Sequence, residues 1–313
     1  MRIIITGGTG LIGQALTANL AADNHEIIIL SRNPDRFSAA LPKGATLQQW
    51  DAQSAEGWGH LADGADAIVN LAGAGIADKR WSEERKIAIL QSRLDAGKAV
   101  VEAVEAAKVK PRVVIQASAV GFYGAREDEI LTESGSLGDD FPATVSKHWE
   151  PSTEAVEAMG VRRVVARIGV VLSNDGGALP RMVQPIQMGV GGKIGTGLQW
   201  MSWIHIDDVV RALRFLITQE NAHGVFNVTS PQPARNVSLT NEIGNTINRP
   251  TLIPVPKFAL SLIFGDMATV LTTGQRVVPE KLEGMGFAFR YPAIGQAIHN
   301  LLATTSREAQ LVT

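Results

Sequence analysis

Arg2-Ile3-Ile4-Ile5-Thr6-Gly7-Gly8-Thr9-Gly10-Leu11-Ile12-Gly13 is the stretch that decides the architecture. The isoleucines before the glycines read as a short strand buried on both faces, as parallel strands are. After the glycines, Leu11, Ile12, Ala15, Leu16 and Leu20 fall near one helical face. Strand, Gly7-x-x-Gly10-x-x-Gly13 turn and helix together make the fingerprint of a dinucleotide site. Gly7 permits the tight turn, Gly10 lets the backbone approach a pyrophosphate, and Gly13 lets the helix close on the strand. The exposed amides at the helix start, around Leu11 and Ile12, then hold the phosphates.

The alternation continues outward. Glu26 to Leu30, Thr46 to Trp50, Ala67 to Leu71, Val113 to Ala117 and Val161 to Arg167 are further strand-like segments. Between them lie an alanine-rich helix from Glu83 to Ala107, capped by Ser82, and a helical stretch from Asp139 to Met159 interrupted by Pro142 and Pro151. This order predicts an α/β fold: a doubly wound parallel sheet of the Rossmann type, with ligand outside the carboxyl ends of the strands. Residues 1–170 form the dinucleotide-binding domain, to which part of 200–230 returns. Residues 171–313 form a smaller, interleaved substrate lobe. Its predicted helices are Val209 to Thr218, Leu239 to Ile247 capped by Ser238, Lys257 to Phe264 and Ala293 to Leu302. Val225 to Val228 is a strand, and Ala303 to Thr313 reads as a frayed tail.

Composition excludes several functions. Acidic residues number 31 and basic residues 29, with no Lys/Arg-rich run, so the footprint of a nucleic-acid binder is missing. The chain has no cysteine, which removes disulfides, thiolate nucleophiles and thiolate metal sites. His205-x-Asp207 lacks further ligands at metal spacing, so no metal site is expected. Asp207 reads instead as the cap of the helix near Val209, and His205 as a structural residue at a pocket or domain interface. No apolar stretch spans a bilayer, and the first strand begins too early for a signal peptide. A cytoplasmic protein with no membrane partner follows as the expectation.

The end of the second strand selects the dinucleotide. An NAD site places an acid there for the ribose hydroxyls. Here the chain reads Leu30-Ser31-Arg32-Asn33. Arg32 can pair with a 2′-phosphate and stack on adenine, Ser31 can donate to the same group, and Arg36 is a second cation within reach. NADP(H) is the expected cofactor.

Thr6-Gly7-Gly8-Thr9-Gly10-Leu11-Ile12-Gly13, Asn70-Leu71-Ala72-Gly73, Phe122-Tyr123-Gly124 and Trp203-Ile204-His205-Ile206-Asp207-Asp208 resemble the extended short-chain dehydrogenase/reductases of the NAD-dependent epimerase/dehydratase type. Asp78-Lys79-Arg80-Trp81, Gln91-Ser92-Arg93, Ile194-Gly195-Thr196-Gly197 and Gly284-Met285-Gly286-Phe287-Ala288-Phe289 resemble a subgroup, the YfcH-like epimerase family proteins. The resemblance implies that Asp51 lies near adenine and that Leu71, Ala72 and Gly73 line the cofactor through their backbone. It also implies that Arg93 approaches its phosphates or ribose and that Val170 lies near the nicotinamide. A small-molecule substrate and a homodimer through two helices, one of them Glu83 to Ala107, are implied as well.

The family's chemistry uses Ser, Tyr and Lys for proton transfer and ribose binding, with hydride passing between substrate and nicotinamide. Lys147 occupies the Lys position, but the residue four places earlier, where the phenol is expected, is Ala143. The serine position falls on Ala119, with Ser118 beside it. Three readings follow. Tyr123 substitutes as proton donor, helped by Ser118 and Lys147. Alternatively, a reaction with milder proton demands uses His205 or a water. Or the protein binds NADPH as a regulator with little chemistry. In each, Lys147 can hold the ribose. Met182, Gln184, Gln199, Trp200, Trp203 and Arg235 are candidates for a substrate cleft, the glycines around Lys193 for a gate, and Glu133, Asp139 and Asp140 read as solvated.

Overall fold

The structure is a computed structural model that describes residues 1–37 and 41–311, with side chains described through residue 303. In chain order the strands are β1 (Arg2–Thr6), β2 (Glu26–Ser31), β3 (Ala45–Gln49), β4 (Ala67–Asn70), β5 (Val113–Ala119), β6 (Ile130–Leu131), β7 (Arg162–Ile168), β8 (Val170–Leu172), β9 (Trp200–Met201), β10 (Trp203–His205), β11 (Gly224–Val228), β12 (Ala234–Arg235) and β13 (Arg276–Val277). The helices are α1 (Leu11–Ala22), α2 (Glu83–Ala106), α3 (Phe141–Trp149), α4 (Ala155–Ala158), α5 (Ala178–Gln187), α6 (Ile206–Thr218), α7 (Asn236–Thr246), α8 (Lys257–Phe264), α9 (Ala268–Thr272), α10 (Glu280–Gly284) and α11 (Ile294–Leu311).

Seven strands form one parallel sheet in the order β11-β7-β5-β4-β1-β2-β3. The chain steps outward from β1 to β2 and β3, then crosses back to β4, so the switch point lies between β1 and β4. This is the doubly wound, Rossmann-like arrangement that the sequence predicts. Alternation within the strands splits the core into two layers. Ile3, Ile5, Ile27 and Ile29 pack on the face of α1 and α6, while Ile4, Ile28, Leu30 and Ile68 pack with Trp58 and the alanines of α2. Each fully buried Ile contributes roughly 1.5–3 kcal/mol. Small residues let α2 lie close: Ala96, Ala99 and Ala103 are buried, and a Cβ on Gly97 would stand 2.1 Å from Ser152 Oγ.

A polar row crosses the α2 layer. Thr6 Oγ1 donates to Asn70 Oδ1 at 2.6 Å, Asn70 Nδ2 to Gln116 Oε1 at 2.9 Å, and Gln116 Nε2 to the Ala117 carbonyl at 2.8 Å. Thr6 Oγ1 also accepts from the Ala72 amide at 3.2 Å. All three side chains are fully buried.

Three expectations of the second half are corrected. The helix expected from Val209 begins at Ile206, and its cap is the His205 imidazole, whose Nδ1 accepts from the Asp207 amide at 3.0 Å. The helix expected to be capped by Ser238 begins at Asn236, directly after β12 pairs with β9, so Ser238 sits inside its first turn. The supposed tail continues the last helix, which runs to Leu311. No helix among the described residues is long and apolar enough to cross a membrane.

Candidate active site

The glycine turn stands at the switch point, and the geometry at Gly7 and Gly13 requires glycine. Gly7 has φ +66°, and a Cβ there would lie 2.8 Å from the Leu71 carbonyl carbon. A Cβ on Gly13 would come within 2.5 Å of the Gly7 oxygen, so the helix is as close as glycine allows. Gly10 differs: it caps α1 in ordinary extended geometry, and a Cβ there would touch only the Gly7 oxygen, at 3.3 Å. Hydrogen bonding within α1 begins with the Gln14 amide on the Gly10 carbonyl. The amides of Leu11, Ile12 and Gly13 therefore have no partner inside the helix. No acid stands in the first turn to compete for them. This cradle fits a pyrophosphate.

At the end of β2, Arg32 is exposed and makes no hydrogen bond or ion pair among the described residues. Ser31 is buried, and its Oγ accepts from the Asn33 amide at 3.2 Å. Arg36 is exposed, with its guanidinium near the Phe37 ring. Asp51 follows β3. Its carboxylate accepts from the Gln53 and Ser54 amides and from Ser54 Oγ, which organises the loop. Leu71 and Ala72 are half-buried and Gly73 is exposed at the end of β4. Arg93 on α2 packs against Gly73 and stacks over the Trp149 ring at 4.6 Å. Its Nη1 donates to the Ala74 carbonyl, while its Nε is buried without a partner. Burial and the nearby Arg85 pull this guanidinium down to about 10. A cation buried beside the end of β4, with no carboxylate paired to it among the described residues, fits a bound phosphate or ribose. Val170 opens β8 half-buried, its amide on the Ser202 carbonyl.

The catalytic candidates differ in their surroundings. Lys147 is exposed on α3 and has no hydrogen bond or ion pair among the described residues. Ala143, one turn before it, is fully buried. Tyr123 is also fully buried. Its hydroxyl donates to Asn227 Oδ1 at 2.7 Å and accepts from Arg167 Nη1 at 3.0 Å. Burial pushes the Tyr123 pKa up, against the pull of Arg167. Ser118 donates to Glu150 Oε1 at 2.7 Å, and Glu150 in turn takes a two-pronged pair from Arg167, at 2.8 and 2.9 Å. Burial alone would lower the Arg167 pKa, but Glu150 outweighs it and raises it. The Arg167 guanidinium also lies 3.3 Å over the Phe122 ring. Ser118 and Tyr123 therefore belong to one buried network at the carboxyl ends of β5, β7 and β11, whereas Lys147 is exposed and makes no hydrogen bond to it among the described residues.

Sequence reasoning missed Glu150, Arg167 and Asn227. Glu133, expected to be solvated, accepts from the Asn227 and Lys281 amides and holds one buried oxygen without a partner. Asp140 caps α3 through the Ala143 amide. His205 is buried, stacked 3.9 Å on Tyr291, with Nε2 toward Asn300 Oδ1 at 3.1 Å. Because Nδ1 accepts an amide, the proton sits on Nε2, and burial lowers its pKa. Of the proposed cleft residues, Trp203 is buried core, with its indole N–H on the Gln232 carbonyl. The Arg235 and Arg276 guanidinium groups both lie over the Trp200 ring, at 4.0 and 4.6 Å, and its indole N–H donates to Asp128.

Residues 3–229 match the model of the NAD dependent epimerase/dehydratase family, and residues 255–301 match a domain of unknown function. The chain belongs to the NAD dependent epimerase/dehydratase family. It is 39% identical to the epimerase family protein YfhF of Bacillus subtilis, covering 97% of this chain and 98% of that protein. It is 38% identical to the chloroplastic SDR39U1 homolog of Arabidopsis thaliana, covering 96% and 87%. The human epimerase family protein SDR39U1, crystallised with NADPH, superposes with a TM-score of 0.86 at 32% identity, covering 97% of this chain and 99% of that one.

Proposed function

We propose that the chain is an NADP(H)-dependent oxidoreductase or epimerase-like enzyme acting on a small molecule at the carboxyl edge of the sheet. In this reading the backbone at Gly7, Gly10, Leu11, Ile12 and Gly13 holds the pyrophosphate. Ser31 and Arg32 take the 2′-phosphate, Asp51 borders adenine, and Leu71, Ala72, Gly73 and Val170 line the remainder. Arg93 faces a phosphate or ribose, and Lys147 steadies the nicotinamide ribose. A bound nicotinamide supplies or accepts the hydride. The observation that carries the reading is Arg32: an exposed guanidinium, unpaired among the described residues, at the strand end where an acid would favour NAD. The NADPH held by the human relative supports it. Calorimetric titration tests it. Arg32→Ala should weaken NADPH by about ten- to a hundredfold, the scale of a charged hydrogen bond, and leave NADH unchanged. Equal losses for both would overturn the assignment.

One observation favours a second reading, NADP(H) binding with little turnover. The hydroxyl of Tyr123 is engaged inside the core, and Ala143 stands where the phenol is expected. Lys147 then holds ribose without moving a proton. Oxidation of NADPH with a panel of carbonyl compounds and nucleotide sugars separates the two: turnover with any of them establishes the enzyme, and tight binding with none establishes the regulator.

A further inference from the structure

Most of the exposed large apolar side chains among the described residues fall in two short segments, 188–198 and 252–270. These segments touch. Gly192 bridges Leu252, Ile194 bridges Val255, and the Gly195 amide donates to the Val255 carbonyl. The Lys257 side chain lies against Gly195. From this seam α8 begins. It buries only Leu260 and leaves Phe258 and Leu262, one turn apart, 75% and 77% exposed, with Ile263 beside them. Leu252 is 86% exposed, and Ile253 and Val190 are exposed as well. Single exposed apolar residues are ordinary on a protein surface, but a gathering of them on two segments that touch is not.

Charge gives the group its partner. Residues 176–206 and 249–264 contain no Asp or Glu. The cations Lys193, Arg249 and Lys257 are exposed within them. The acid that follows, Asp266, is turned to Lys86 at 3.4 Å. A second copy docked on this face about a twofold axis would bring Lys193, Arg249 and Lys257 against their own copies, with no acid in either stretch to meet them; Asp128, the acid beside Leu198, is already held by Arg235. The surface calls for a partner that is apolar inside and anionic at its boundary.

We infer that segments 188–198 and 252–263 form a docking surface for an anionic lipid bilayer. Phe258, Leu262 and Leu252 enter the headgroup boundary, while Lys193, Arg249 and Lys257 meet lipid phosphates. No membrane-spanning segment is needed for a protein that lies on the interface.

The test is sedimentation of the full chain with vesicles of phosphatidylcholine alone and of phosphatidylcholine with phosphatidylglycerol. Binding is expected on the anionic vesicles and should fall as salt rises. Lys257→Gln should weaken it by about fivefold. The Phe258→Asp/Leu262→Asp double variant should weaken it by at least about tenfold per side chain, while NADPH titration shows the same binding as the parent chain. Absence of binding to anionic vesicles, equal binding to neutral ones, or full binding by the double variant would each overturn the inference. So would a dimer in light scattering that the double variant dissolves, since it would assign the face to a second copy.

Discussion

Two alanines in the glycine turn separate what the fold needs from what the ligand needs. At Gly13 an added methyl carbon would stand 2.5 Å from the Gly7 oxygen and 2.5 Å from the Gly8 Cα, both backbone atoms that cannot rotate away. Helix α1 must shift by more than half an ångström, and overpacking of this kind costs about 1–3 kcal/mol. At Gly10 the methyl meets only the Gly7 oxygen at 3.3 Å, and the backbone at φ −81° and ψ 174° suits any residue. Gly10→Ala should leave stability within about 1 kcal/mol of the parent, since fewer unfolded conformations offset the small crowding. The same methyl projects into the space where the backbone approaches a pyrophosphate. Loss of one charge-assisted hydrogen bond there is worth about 1.5–3 kcal/mol, or roughly ten- to a hundredfold in Kd. Denaturant unfolding and calorimetric NADPH titration on both variants read the two quantities apart. Gly10→Ala should unfold like the parent and bind NADPH poorly, while Gly13→Ala should lose on both measures. A Gly10→Ala protein that binds NADPH with parental affinity would refute the placement of the phosphates on this turn.

Tyr123→Phe strands the Arg167 Nη1 donor and the Asn227 acceptor, so stability should fall by about 1–3 kcal/mol in urea unfolding, with NADPH affinity retained. Unchanged stability with abolished turnover would instead return Tyr123 to the role of proton donor. His205 has a folded pKa below its unfolded value, so its contribution is fully present above about pH 6.5 and fades as the pH drops toward the folded pKa. The Tm of the parent should therefore decline between about pH 7 and pH 5, and His205→Gln, which does not titrate, should show a shallower decline. Equal slopes would remove His205 as the source. Arg93→Met keeps a long chain against Trp149 but deletes the cation, so NADPH and NADH should weaken together, by about tenfold. A loss confined to NADPH would move the 2′-phosphate to Arg93.

The fold could be read because its signals are local. Isoleucine runs, the glycine spacing and the Ser82 cap each act within a few residues, and β1, α1 and α2 lie where those signals put them. Helix starts in the second half escaped because long-range contacts set them. Pairing of β12 with β9 begins α7 ahead of Ser238, and an imidazole, rare among caps, begins α6. The glycine turn was legible for the same reason as the fold. The network behind it was not. Glu150 lies inside the stretch read as one helix from Asp139 to Met159, Arg167 looks like the end of a strand, and Asn227 sits inside an apolar run. Only the parallel register of β5, β7 and β11 aligns Ser118, Arg167 and Asn227, and the turn after α3 adds Glu150 to them.

The row Thr6, Asn70 and Gln116 has a consequence for how the sheet assembles. Isoleucine and valine ladders are forgiving: one apolar rung replaces another when a strand slides. An amide inside the row is not. Sliding β4 by a single position would turn Asn70 into the oily layer beneath α1 and leave Thr6 and Gln116 without their mate, so three polar groups would be stranded in one mistake. The three side chains thus act as an alignment key, rejecting every offset between β1, β4 and β5 except the one that sets the glycine turn beside Ala72.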